Sequence, residues 1–477
     1  MPRLLHVLGS MIAAAPLALV GCGGAGTDPA SNPPASILAP AGYQAKGDQK
    51  PAELITPDSR IDLKKEVDVV KGEVKGGESR SPSPMDVLYQ APDEKEIHDE
   101  PFIVTVPDGL PDIASVIPAF NPMTKGKVEL GKQLYFDQRV SKDATVSCAS
   151  CHDPLKGWTD HRKTSIGIDG QTGGRNAPTV LNTVYGRTMF WDGRAPSLEG
   201  QAQGPIQNKI EMGDQSYQEI IERLRGIPGY REQFRKVFGT DVTLDGMAKA
   251  VAAFERTALS GNSAFDKYQK ADPDKPETFG VLNESQKRGM VLFGLPLSDE
   301  DPVKVDKALL KKANCTACHA GFNFTDEQFH NLGVGFDESK ADFSDPGRFT
   351  IAPIGAKNTR ERGAFKTPTL RDIVRTAPYM HDGSEKTLEK VIDLYNKGGI
   401  KNPVLDPDMK PLNLTDAEKA DLIEFMKALT GQNVEVALPR LPPGPDGKSP
   451  DPRAALTSTT PKTALDLREA HRAVTAR

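Results

Sequence analysis

The chain has 477 residues, long enough for two or three domains of ordinary size. Its 60 basic residues against 65 acidic ones leave a net charge of -5, which gives no electrostatic footprint for nucleic acid. Docking of a small cationic protein stays open without being required.

At the N-terminus Arg3 precedes an apolar stretch, Leu4 to Val20, that runs into Leu19-Val20-Gly21-Cys22. A membrane span needs roughly 20 apolar residues, and this run is shorter. A cysteine after a small residue matches the bacterial lipobox, in which that cysteine is acylated and becomes the mature N-terminus; a transmembrane helix is the competing reading. Residues 1–21 are therefore expected to be a lipoprotein signal peptide and Cys22 a lipidation site. The protein would then sit at the periplasmic face of a bacterial membrane. Residues 22–110 are rich in Gly, Pro, Ser and charge and bury too little apolar surface to fold alone. They read as a disordered tether, with a short strand possible around Val67–Val74.

The folded part begins near Ile113. Helices are expected over Thr124–Leu134, Gln215–Leu224, the amphipathic Leu244–Leu259 and from Ser285 to Phe293. Thr415 to Glu418 reads as a capping box, with Gly431 as a stop. No convincing run of alternating strands is visible. From about Pro439 the chain turns Pro-rich, and Thr463–Arg477 reads as a loose terminal helix.

The chain contains a duplication. Cys148-Ala-Ser-Cys151-His152 repeats as Cys315-Thr-Ala-Cys318-His319, a shift of 167 residues from 148 to 315. Pro178-Thr179, Asp192-Gly193 and Leu198-Glu199 repeat as Pro368-Thr369, Asp382-Gly383 and Leu388-Glu389, each shifted by 190, so an insertion of 23 residues falls within roughly 331–364. The expected class is mainly α, with two homologous c-type cytochrome domains and long ordered loops behind the tether. The domains are expected over 111–276 and 277–435, with a tail over 436–477.

CxxCH is the attachment signature of c-type haem. Two cysteines at this spacing reach the haem vinyl groups as thioethers, and the adjacent histidine ligates the iron. A zinc site would need two more ligands near each pair, and the eight histidines do not supply them at that spacing. Two covalent haems are expected, on Cys148, Cys151 and His152 and on Cys315, Cys318 and His319. A closed haem transfers electrons, whereas an open one does chemistry.

The duplication compares the opposite faces of the two irons. Tyr395 falls in the register of Pro205. Proline cannot ligate iron and a phenolate can, so the first haem reads as open and the second as closed by Tyr395, with a buried core tyrosine as the alternative. Glu211 and Gln201 flank Pro205 and would serve to move a proton on bound peroxide; a solvated loop acid is the alternative for Glu211. Trp191 occupies the register of His381. Both are expected at haem edges or the domain interface, where the tryptophan either relays an electron or packs in a core.

From about Pro122 to Gly431 the chain resembles bacterial dihaem cytochrome c peroxidases and MauG. The resemblance is carried by Leu130 to Asp137, Arg175 to Thr179, Phe190-Trp-Asp-Gly-Arg194, Gln201 to Met212, Phe365 to Arg371 and Thr376 to Gly383. It implies a peroxidatic haem on His152, with Gln201, Pro205 and Glu211 lining its pocket and Glu211 as acid–base residue. It also implies an electron relay at Trp191, and a Ca²⁺ held by the Asn176 side chain and the carbonyls of Thr376 and Pro378.

Three positions depart from the conventional members. A switching histidine is replaced by Ile168 in Ser165-Ile-Gly167-Ile168, so the first haem should be open without prior reduction of the second. The distal methionine of the second haem is replaced by Tyr395, as in MauG, which implies a low potential. A surface tryptophan of MauG is replaced by Ala313, which argues against maturation of methylamine dehydrogenase.

Three functions compete. The first is a MauG-like enzyme that activates hydrogen peroxide and oxidises a partner through a Tyr-ligated haem. The second is a detoxifying peroxidase fed by a small cytochrome c or cupredoxin. The third is a non-enzymatic dihaem electron carrier, against which the open haem and Glu211 argue.

Overall fold

The structure, a computed structural model, describes residues 99–351, 358–432 and 434–457. Cys22, the strand near Val67–Val74 and the terminal helix over Thr463–Arg477 lie outside these residues.

The described chain is mainly helical. In order, the helices of six or more residues are α1 Lys125–Phe136, α2 Leu198–Gln207, α3 Tyr217–Arg225, α4 Pro228–Phe238, α5 Leu244–Glu255, α6 Ala264–Gln269, α7 Glu284–Phe293, α8 Leu388–Asn396 and α9 Asp416–Ala428. The ends of α1, α3, α5, α7 and α9 lie close to the sequence expectation because local chemistry fixes them. Thr124 caps α1, Ser216 and Glu219 form a capping box on α3, and Thr415 and Glu418 form one on α9. Helix α2 escaped notice because Pro205 lies inside it and interrupts the pattern.

The two halves are built alike. In the first, α1 packs on α5, and in the second α7 packs on α9. Both pairs touch backbone to backbone. A Cβ on Gly131 would sit 1.8 Å from the Ala250 carbonyl oxygen, and one on Gly289 would sit 1.9 Å from that of Asp421. An aromatic triad fills each core. Tyr135, Trp158 and Phe254 have centroids 5.1–5.9 Å apart, while Phe293, Phe324 and Phe425 lie 5.2–6.5 Å apart. Trp158 and Phe324 both take a left-handed backbone, with φ of 62° and 52°. These rings belong to two separate apolar clusters, and the second begins with Phe265 and Tyr268 on α6.

The expected insertion is an ordered excursion. Strand β1 (Phe329–His330) pairs antiparallel with β4 (Phe365–Lys366) and closes its base, and β2 (Phe336–Asp337) pairs with β3 (Asp342–Phe343) inside it. Residues 99–110 run against the first half, where Phe102 N donates to Met123 O at 3.1 Å and Val104, Val106 and Leu110 pack beside Ile113. The described tail also returns to that half. Leu441 and Ala455 are buried, and Arg139 donates to Pro442 O at 3.0 Å.

Candidate active site

The second attachment turn is the clearer of the two. Cys315, Cys318 and His319 line a cavity of about 510 Å³. His319 Nδ1 lies 2.9 Å from the Phe324 carbonyl oxygen. A carbonyl only accepts, so Nδ1 carries the proton and the lone pair of Nε2 is left for a ligand. Burial depresses the pKa of this imidazole and keeps it neutral, the form that binds iron. Two thiols, a neutral imidazole with a fixed tautomer and a largely apolar wall fit a covalently attached haem.

The first turn is the short helix Cys148–Cys151, behind which Tyr135 Oη donates to His152 O at 2.8 Å. Burial depresses the His152 pKa, and its buried Nδ1 has no hydrogen-bond partner within bonding geometry. An orphaned ring nitrogen in an apolar core beside two thiols again suits a haem ligand more than a packing residue.

The residues expected around the first haem come from α2 and the turn after it. Gln201 and Pro205 are four apart and share one face of α2. Glu211 follows in a turn held by Asn208, whose Oδ1 accepts from Ile210 N at 2.9 Å and whose Nδ2 donates to Glu211 Oε1 at 2.6 Å. Burial pushes the Glu211 carboxyl above its ordinary pKa, and the charge of Arg194 opposes the shift. Arg194 stacks 3.5 Å from the Phe190 ring centroid and pairs with Asp192. Ile168 is buried, and its N–H donates to Glu211 O at 3.2 Å. The loop that carries the switching histidine in conventional members is therefore wedged here against the acid, where a Cβ on Gly167 would meet Ile210 O at 1.8 Å.

Asn208 and Arg194 were missed in the sequence. Asn three residues before Glu is a legible turn signal, but nothing local says that its amide closes on that carboxylate. Arg194 lies within a recognised segment, yet its reach toward Glu211 depends on the chain folding back.

Trp191 and His381 both line the large cavity, as their register implies. Asn176 ties them together: its N–H donates to His381 O at 2.7 Å and its carbonyl accepts from Trp191 Nε1 at 2.9 Å. His381 is buried and stacked on Phe365 with centroids 3.5 Å apart, and burial lowers its pKa to about 4. Thr376 and Pro378 line the same cavity as Asn176, so the three residues expected at calcium are brought to one wall. The Asn176 amide N–H₂ is turned to Arg162 O at 2.8 Å, so the side-chain oxygen is the atom it can offer a cation.

Tyr395 lies on α8 and lines the cavity with Cys315, Cys318 and His319. Burial holds its phenol well above the usual range, so ionisation there calls for a compensating cation. Helices α2 and α8 correspond. Ser197 and Thr387 cap them, and Pro205 and Tyr395 each fall seven residues beyond the first helical residue, Leu198 or Leu388. The backbone leading into them corresponds as well, with left-handed Asn182 and Phe190 matched by Asp372 and Met380.

Two attachment turns in a duplicated helical frame define a two-haem c-type cytochrome. Residues 125–274 match the model of the family described as di-haem cytochrome c peroxidase. The chain is 39% identical over 327 residues to methylamine utilization protein MauG of Methylorubrum extorquens, covering 68% of this chain and 84% of that one. It is 37% identical over 329 residues to cytochrome c551 peroxidase of Nitrosomonas europaea, covering 69% and 86%. A solved MauG-like protein associated with microbial copper homeostasis superposes with a TM-score of 0.57 at 31% identity, over 70% of this chain and 95% of the other. The chain belongs to the dihaem cytochrome c peroxidase and MauG family. It is an oxidoreductase of the peroxidase type with two haem c groups, acting on hydrogen peroxide with a redox partner.

Proposed function

We propose that the protein works in the MauG-like manner, activating hydrogen peroxide at an open haem on His152 and oxidising a partner through a second haem on His319 ligated by Tyr395. The observation that carries this reading is the correspondence of Pro205 and Tyr395 on α2 and α8, with Tyr395 facing the same cavity as His319. Buried Ile168 in place of a switching histidine supports it, since an alkyl side chain leaves the first iron free.

The haems supply redox-active iron that binds peroxide and exchanges electrons. The protein supplies the proton chemistry. Glu211 is held at Oε1 by Asn208, so Oε2 takes the proton from the inner oxygen of the peroxide and returns it to the departing outer one. A carboxyl raised by burial suits both directions, because its proton affinity approaches that of the group it serves. Gln201 orients the peroxide by hydrogen bonding, and Trp191, fixed by Asn176, lies on the route between the haems. A calcium ion on the Asn176 side chain and the Thr376 and Pro378 carbonyls would brace that route. Further proposals are a haem domain over each of 111–276 and 277–435, and attachment to the periplasmic face of a membrane through lipid on Cys22. Mass analysis of the mature N-terminus tests the lipid.

Rapid mixing of the fully oxidised holoprotein with hydrogen peroxide tests the main reading. Direct reaction is expected. A requirement for prior reduction would return the protein to the conventional peroxidases fed by a small cytochrome.

A further inference from the structure

Behind the first attachment turn, four polar side chains are sealed in the core near α1, α2 and α5. Asn121, Glu199, Glu255 and Arg256 are each more than nine-tenths buried. Glu199 Oε1 accepts from Asn121 Nδ2 and from Arg256 Nη2, both at 2.7 Å. Glu199 Oε2, Asn121 Oδ1, Arg256 Nη1 and Glu255 Oε2 have no partner. Each such atom left empty costs about 1–3 kcal/mol, so four together would rival the net stability of a whole domain. Internal water is the ordinary way such groups are satisfied.

The haem propionates do not account for these atoms. Thioethers form on the vinyl edge of the macrocycle and the propionates leave from the opposite edge, whereas the Glu255 charge bears on the Cys148 sulfur. It bears also on Tyr135, whose hydroxyl holds His152 O. The Glu211 charge reaches the same sulfur. The cluster and the distal acid therefore converge on one edge of the first haem. Its other end, Asn121, follows Phe120, which is 61% exposed.

We infer that the cluster of Asn121, Glu199, Arg256 and Glu255 holds internal water and is the proton inlet to the first haem, with Glu255 passing protons toward Glu211. Reducing one hydrogen peroxide to two waters consumes two electrons and two protons. The redox partner supplies the electrons, and the protons must cross an apolar core from solvent. Arg256, paired with Glu199, is a fixed cation that does not titrate. Burial and the Glu199 charge raise the Glu255 pKa to about 8 against the pull of Arg256, so Glu255 is protonated at neutral pH and can give its proton to the water and be refilled from the Asn121 end.

The inference rests on Glu211 as the acid–base residue, and the test separates the two. In stopped-flow mixing of holoprotein with hydrogen peroxide, Glu255→Gln is expected to react about tenfold more slowly. It should also lose the decline in rate that the unsubstituted protein shows as pH rises through about 8. Glu255→Asp, which keeps a titratable proton, should restore most of both. Infrared spectra of the unsubstituted holoprotein at neutral pH should contain a carboxylic-acid carbonyl band that shifts in D₂O and vanishes in Glu255→Gln. An unchanged rate and pH profile in Glu255→Gln overturns the inlet even if Glu211→Gln is slow. A slow Glu255→Gln beside a fully active Glu211→Gln keeps the inlet and removes Glu211 as its acceptor. If Glu255→Gln does not accumulate, the infrared band of the unsubstituted protein decides: a band lost above about pH 8 supports the inlet, and no band overturns it.

Discussion

Asn208 Nδ2 donates to Glu211 Oε1 at 2.6 Å, from a side chain whose own oxygen caps the turn that carries the glutamate. One asparagine thus sets both the backbone position and the rotamer of the acid. A hydrogen bond to a carboxylate favours its charged form, so Asn208→Ala should raise the Glu211 pKa further and loosen its aim. The rate of reaction with hydrogen peroxide is expected to fall about tenfold, the loss of one charge-assisted bond. Spectra of the second haem should not move. Stopped-flow mixing reads the first effect and visible absorption the second.

Tyr395→Phe keeps the ring and removes the oxygen. If the phenolate ligates the second iron, its ferric electron paramagnetic resonance signal changes and its reduction potential rises by on the order of 100 mV, because an anionic oxygen ligand favours the ferric state. Potentiometric titration reads the shift. An unchanged signal would make Tyr395 a wall residue.

Gly131 and Gly289 mark the two closest helix crossings. Alanine normally gains about 1 kcal/mol over glycine in a helix, but here its methyl would meet a backbone carbonyl that cannot swing aside. Each of Gly131→Ala and Gly289→Ala is therefore expected to destabilise its half by about 1–3 kcal/mol. Calorimetry of the holoprotein should show a lowered melting temperature for both, with haem content retained.

His381 makes stability depend on acid. Burial holds its pKa near 4 against an ordinary value of 6.5, despite the opposing charges of Asp382 and Asp345. Between those values the unfolded chain binds a proton that the folded one refuses, so stability falls as pH drops through that window, by up to about 3 kcal/mol. The slope of melting temperature against pH from about 6.5 to 4 should flatten in His381→Gln, which keeps a polar planar group over Phe365 and cannot titrate.

Much of the fold was legible because the signals are local. Thr124, Ser216 and Thr415 announce their helices by capping chemistry within one turn. Helix α2 was not, because Pro205 reads as a breaker until the packing of α2 on α5 is seen to tolerate it. The insertion was located by register alone, but its closure by the β1–β4 ladder needs residues 329 and 366 to meet. The tail was taken as separate, although Leu441 and Ala455 bury against the first half through contacts made across some 300 residues of chain.

The amino-acid sequence by itself determined that two haems attach, at Cys148–His152 and Cys315–His319. Thioether spacing is a property of five consecutive residues, and the duplication follows from counting. It also determined that Pro205 faces a different chemistry from Tyr395, since matched registers carry unlike side chains. Only the tertiary structure decided that Asn208 and Arg194 act on Glu211, that Asn176 couples Trp191 to His381, and that Glu255 lies unpartnered beside Cys148. Desolvation and charge proximity depend on distances through space, and those exist only once α1, α2 and α5 have packed.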